Sequence, residues 1–184
     1  PADLRRRGGL QSRPPMAPIT EHTDELDGQP VFWRSAPGAD GLPPVLYLHG
    51  TPTCSDDWLP FLERTGGVAP DMPGYGRSGK RGDLDFTMQG YGRWVERFLE
   101  HAGLDRVRLV VHDWGVVGLL WAMREPERVE RLVVMDTVPL LPGYRWHPIA
   151  RVWRTRGLGE LMMGSTNRTT LKLLGRVPGL SSGP

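Results

Sequence analysis

The sequence predicts an α/β fold built on a mostly parallel, doubly wound sheet, and three observations carry that prediction. Short runs that read as strands recur at residues 45–49, 67–71, 109–111 and 131–135, those at 45–49 and 109–111 with the apolar character of buried strands. Segments of helical periodicity stand between them, so strand and helix alternate, which specifies parallel strands with helices on both faces. The runs lead into His49-Gly50-Thr51, Asp71, Asp113 and Asp136. Chemistry in such sheets collects at the carboxyl ends of the strands, so these four places are where a site is expected.

In chain order, residues 1–16 are rich in Arg, Pro and Gly without periodicity and read as a disordered leader, with Met16 a candidate start. Residues 18–25 and 30–35 read as two strands joined by the turn Asp27-Gly28, a hairpin at the sheet edge. The run at 45–49 is closed by Gly50, after which a helix is expected from Ser55, with Ser55 as its cap and Trp58, Phe61 and Leu62 on one face. Residues 67–71 give the next strand, followed by the glycine-rich loop DMPGYGRSG. An amphipathic helix then presents Tyr91, Trp94, Val95, Phe98 and Leu99 as one stripe, with Arg93, Glu96, Arg97 and Glu100 facing water.

Residues 109–111 run straight into His112-Asp113-Trp114-Gly115, and residues 116–123 are apolar all round, as a helix covered on several sides would be. Residues 131–135 give a further strand ending at Asp136. Residues 141–163 turn basic and aromatic and suit a helical excursion above the sheet, while the ending GRVPGLSSGP offers no closing strand. The organisation expected is therefore a leader at 1–16, a core at 17–140, and the start of a further region with a truncated tail at 141–184.

Composition narrows the function classes. The net charge of +2 divides unevenly: residues 1–16 carry +3, residues 17–140 hold 12 bases against 19 acids, and residues 141–184 carry +6. The core is acidic, which argues against a nucleic-acid face on it. No apolar run approaches the ~20 residues that span a bilayer, so no membrane partner and a cytoplasmic location are expected. The single cysteine, Cys54, makes neither an internal disulfide nor a metal cluster, and the glycine-rich loop lacks the spacing of a phosphate cradle. No metal and no cofactor are expected.

The turn from residue 109 to residue 116 has the layout of a nucleophile elbow, with Asp113 at its apex. Gly115 fits the close packing such a turn requires, whereas Val111 is larger than the small residue usual on the other side. A carboxyl group ionises well below neutral pH, so it needs no base to become a nucleophile and can displace a leaving group at saturated carbon. The enzyme ester so formed needs an oxyanion hole, for which the backbone N–H groups of Trp114 and Thr51 are the candidates. The Trp114 indole N–H adds a donor for a departing anion. Asp113 also suits a helix N-cap. Its coincidence with HGTP at 49–52 and with the glycine-rich loop favours the catalytic reading. His49 and His112 read as structural hydrogen-bonding residues, and Asp71 as a loop former.

Taken together, HGTPTCSDDW at 49–58, PDMPGYGRSGK at 70–80, VVHDWG at 110–115 and PERVERLVVMD at 126–136 resemble the haloalkane dehalogenase and epoxide hydrolase branch of the α/β-hydrolases. The resemblance runs from about residue 31 to about residue 142. It implies an α/β-hydrolase fold, incomplete at the C-terminus, with residues 141–184 beginning a helical cap. It further implies a hydrolase with Asp113 as nucleophile, Trp114 and Thr51 at the oxyanion and halide positions, and Asp136 as candidate triad acid within a Met-Asp pair. Dehalogenases of this branch often carry Asn at the position of Thr51, a departure here, and its epoxide hydrolases open the ring with cap tyrosines, of which only Tyr144 lies in the cap-like region. The triad His of the branch comes after the cap, so no catalytic base is expected in this chain, and His147 is poorly placed to serve. The expected function is carbon–halogen bond hydrolysis through an alkyl-enzyme ester, acting on a small apolar organic substrate and water. Epoxide hydrolysis is the alternative, and a truncated, catalytically incompetent hydrolase fragment a further one.

Overall fold

The computed structural model describes residues 18–138, 143–146 and 148–165. The leader at 1–16, His147 and the ending GRVPGLSSGP lie outside the described residues. The chain divides into two compact units, residues 1–138 and 139–184.

The first unit is organised by a six-stranded sheet in the order β1-β2-β4-β3-β5-β6. Strands β1 (Thr20–Leu26) and β2 (Gln29–Ala36) form the expected hairpin. Asp27 and Gly28 both adopt positive φ, at 56° and 70°, as a two-residue turn with the right-handed twist of a hairpin requires. Strand β2 then pairs antiparallel with β4 (Gly67–Pro70), and β4, β3 (Val45–Leu48), β5 (Val107–His112) and β6 (Val129–Met135) are parallel neighbours. All four parallel strands thus deliver their carboxyl ends to one edge of the sheet.

Two cores lie on opposite faces. Leu46, Leu48, Leu109 and Val111 pack beneath α2 (Met88–His101) and α3 (Gly118–Ala122), against Trp94, Val95, Phe98, Leu99 and Trp121. Helix α2 forms where expected because its apolar residues share one face and Thr87 caps it, accepting from Gly90 N–H at 3.0 Å. On the other face Tyr47, Trp58, Leu62 and Ala69 pack together beneath α1 (Leu59–Thr65).

One local expectation is corrected. The helix after Gly50 enters through a 3-10 turn, Ser55–Trp58, and Ser55 does not cap it: its hydroxyl accepts from buried Arg34 at 2.7 Å. Trp58 and Leu62 are buried, and Phe61 packs edge-on against Trp58 at 5.3 Å. The segment 116–123 is covered on several sides, with Val116, Val117 and Trp121 buried, and only Met123 at its end is exposed, at 77%. Strand β6 forms the sheet edge among the described residues, with Leu132, Val133 and Val134 about half exposed. The second unit contains α4 (Pro148–Trp153) and α5 (Leu158–Ser165). No helix of the described residues is long and apolar enough to cross a membrane.

Candidate active site

Register sets the site. Leu48 lies opposite Val111 and His112 opposite Met135, so the loops after β3, β5 and β6 leave three adjacent strands at one level. Asp113 and Asp136 each follow immediately, and both hold positive φ, at 49° and 39°. Left-handed backbone is costly for residues with a Cβ and is held here by the surrounding packing. At Asp113 it swings the side chain off the strand at the start of a 3-10 turn, Asp113–Val117. The turn is tight because Gly115 lies against β3: a Cβ there would sit 2.2 Å from the Leu48 carbonyl oxygen. The larger Val111 is accommodated because its side chain is fully buried in the α2 and α3 core rather than crowding the turn.

The loop after β3 reaches Asp113. Thr51 N–H donates to Asp113 Oδ1 at 2.8 Å. Gly50 lies against the same carboxylate, where a Cβ would come within 2.5 Å of Asp113 Cβ. The sequence-based pairing of Thr51 with Asp113 is therefore a direct contact across 62 residues. Trp114 is half-buried and lines a void of about 20 Å³ together with Met72, Tyr75, Tyr91 and Val117.

His49 is fully buried and engaged at both ring nitrogens: Nε2 accepts from Met72 N–H at 2.9 Å and Nδ1 donates to Gly50 O at 2.8 Å. Burial pushes its pKa below the ordinary histidine value, outweighing the backbone bond to Gly50. It is a neutral tie between the two loops. The folded state thus resists a proton that the unfolded chain accepts below about pH 6.5. Stability is fully present above that pH and falls as pH drops through it, by at most about 1.4 kcal/mol per pH unit. Denaturant titrations between pH 7.5 and 5 should show this slope, and it should flatten in His49→Gln.

Asp71 shapes the glycine-rich loop. Its buried carboxylate accepts from Ser55 N–H at 2.7 Å and Arg77 N–H at 2.7 Å, while Ser78 Oγ donates to Asp71 O at 2.6 Å. Gly76 is required beside it, since a Cβ would lie 2.0 Å from Asp71 Oδ2. Asp136 is exposed. Tyr144 lies in the second unit, packed edge-on against Trp146 at 5.2 Å. A cavity of about 180 Å³ between the hairpin and the start of α2 is rimmed by the Arg97–Asp27 and Arg93–Asp85 ion pairs. Neither Asp113 nor Thr51 lines it, so it does not serve the elbow.

Sequence reasoning missed Tyr75. Its hydroxyl lies 2.8 Å from Thr51 Oγ1 and its ring stands edge-on to His49 at 5.5 Å. The available signal was one aromatic hydroxyl within an otherwise glycine-rich loop at a strand end.

Residues 43–159 match the family described as alpha/beta hydrolase fold. The chain is 37% identical over 151 residues to a haloalkane dehalogenase of Mesorhizobium japonicum, covering 74% of this chain and 48% of that protein. It is 31% identical over 168 residues to one of Bradyrhizobium diazoefficiens, covering 80% and 54%. Among solved structures it is similar to the haloalkane dehalogenase DbeA of Bradyrhizobium elkani, with a TM-score of 0.72 at 29% identity, covering 85% of this chain and 57% of that one. The chain spans about half the length of the curated relatives it matches.

Proposed function

The chain belongs to the α/β-hydrolase fold family, and on that premise we propose that the whole protein is a haloalkane dehalogenase-like hydrolase working through an alkyl ester on Asp113. The observation that carries this reading is the Asp113 carboxylate on a left-handed turn at a strand end, held by Thr51 N–H at 2.8 Å. A serine in that place would need a base before it could attack, whereas a carboxylate attacks as it stands. With Oδ1 held, Oδ2 attacks the carbon that bears the halogen. The carbon–oxygen bond forms as the carbon–halogen bond breaks, and the bonding pair leaves with the halide towards Trp114.

Hydrolysis of the ester needs water attacking the carboxyl carbon, with negative charge developing on Oδ1 beside Thr51 N–H, where an oxyanion donor belongs. A base must take the proton from that water. His49 is locked in its two hydrogen bonds and does not qualify. In the branch this sequence resembles, the base follows the cap, and Asp136, leaving β6 level with Asp113, is the acid assigned to orient it. Residues 141–184 are assigned to the start of that cap, and a small halogenated organic molecule and water are the substrates.

Incubating the whole protein with chloro- and bromoalkanes and measuring free halide tests the reading. Halide and alcohol should appear together. No halide from any haloalkane, with diol formed from an epoxide, would transfer the assignment to epoxide hydrolysis.

A further inference from the structure

Thr51 stands where two sets of contacts cross. Its N–H donates to Asp113 Oδ1 at 2.8 Å, and its hydroxyl meets the Tyr75 hydroxyl at 2.8 Å. Tyr75 shares a side-chain hydrogen bond with Tyr91 of α2, and Tyr91 O–H donates to Pro73 O at 2.9 Å. The turn at Asp113, the loop after β3, the glycine-rich loop and α2 are distant in sequence, yet these bonds join them in one run.

We infer that Tyr75 is a positioning residue for the nucleophile: its hydroxyl holds Thr51 so that Thr51 N–H stays on Asp113 Oδ1 while Oδ2 is left to attack. This deepens the reading of Asp113 as a carbon nucleophile and rests on it.

The direction of each bond follows from the far end of the run. A carbonyl only accepts, so the Tyr91 proton is committed to Pro73 O. Burial raises the Tyr91 pKa, and it stays a neutral phenol that keeps this proton. Each hydroxyl has a single proton, so Tyr75 donates to the Tyr91 oxygen and Thr51 O–H donates to the Tyr75 oxygen. A hydroxyl that accepts one bond while donating another makes both stronger. Tyr75 is a firm post for this purpose. Its N–H donates to Met72 O at 3.0 Å, its carbonyl accepts from Ser78 N–H at 3.1 Å, and its ring stands edge-on to His49 at 5.5 Å.

The peptide group that carries Thr51 N–H is gripped at its other end too. Gly50 O accepts from His49 Nδ1 at 2.8 Å, from Thr53 O–H at 3.0 Å and from Thr53 N–H at 3.1 Å. Those bonds fix the oxygen and leave the peptide plane free to tilt about it. Gly50 has no side chain to oppose the tilt, so the hold falls to the Thr51 side chain and, through it, to Tyr75. The consequence is a rate effect on attack, because a tilt turns the donor off Oδ1 and lets the carboxylate leave its line of approach.

Two variants cut the same link from opposite sides. Tyr75→Phe keeps the ring against His49 and removes only the hydroxyl, while Thr51→Val removes the partner hydroxyl and keeps the backbone N–H. In the whole protein, held in excess over a 1-bromoalkane, the maximal rate of bromide release in a single turnover should fall about 10-fold in each. The protein concentration giving half that rate should change less than about twofold. The double variant should lose no more than either single one, since nothing remains to cut. Losses that multiply to about 100-fold, a wild-type maximal rate in Tyr75→Phe, or a loss confined to the half-saturating concentration would overturn the inference while leaving Asp113 as nucleophile. Should Tyr75→Phe lack a cooperative melt, Thr51→Val decides alone, and a wild-type rate there overturns the inference. Failure of the wild-type protein itself to release bromide would instead sink the reading of Asp113 and the inference with it.

Discussion

Replacing Asp113 by Asn is expected to abolish halide release by the whole protein, with a loss of at least about 10⁴-fold, while leaving it folded. The amide has the size of the carboxylate and can still accept from Thr51 N–H through its oxygen, so the 2.8 Å contact that fixes the turn persists. What disappears is the anionic oxygen. A neutral amide does not displace halide from saturated carbon, and no neighbouring group in the elbow replaces it: His49 is fixed at both nitrogens and Asp71 is buried under the glycine-rich loop. The two effects separate in a paired measurement. Halide release should vanish, and the denaturant midpoint should move little.

Two neighbouring glycines should fail in opposite ways. In Gly115→Ala the new methyl group meets the Leu48 carbonyl oxygen at 2.2 Å, a backbone atom of a central strand that cannot step aside without parting β3 from β5. Overpacking of that kind costs about 3 kcal/mol or more, so the melting temperature should drop by several degrees at least. In Gly50→Ala the methyl group meets the side chain of Asp113 instead, at 2.5 Å from Cβ and 2.7 Å from Oδ1. A side chain can rotate where a strand cannot. The main cost of Gly50→Ala should therefore be activity, through a displaced nucleophile, with a smaller loss of stability. Thermal melts with initial-rate measurements on both variants read the two costs separately, and equal losses of stability would contradict the geometry.

Most of what positions the site was legible in the sequence because it is local. The apolar runs at 45–49 and 109–111, the helical stripe from Tyr91 to Leu99 and the turn Asp27-Gly28 each state their own structure through periodicity or backbone preference. The turn at Asp113 was legible for the same reason, since strand, Asp113 and Gly115 lie within a few residues of one another. The misreadings share a physical cause in partners distant along the chain. Ser55 reads as a helix cap until Arg34, 21 residues earlier, claims its hydroxyl. Tyr75 reads as part of a loop until Thr51, 24 residues earlier, is brought to 2.8 Å from it. Insertion of β4 between β2 and β3 is likewise a property of the assembled sheet, which no single stretch of sequence encodes. Met123 and the middle of β6 are exposed despite their apolar character, because apolar sequence signals a preference and only the surrounding elements satisfy it.

The central claim is that Asp113 is a carbon nucleophile needing no base for its own attack. It is tested most directly by exposing the folded chain to a bromoalkane and mapping the product by peptide mass spectrometry. The expected result is a single added alkyl group on the peptide containing Asp113, absent from Asp113→Asn. A chain shown to be folded by a cooperative melt, yet unmodified at Asp113 after prolonged exposure, would contradict the account.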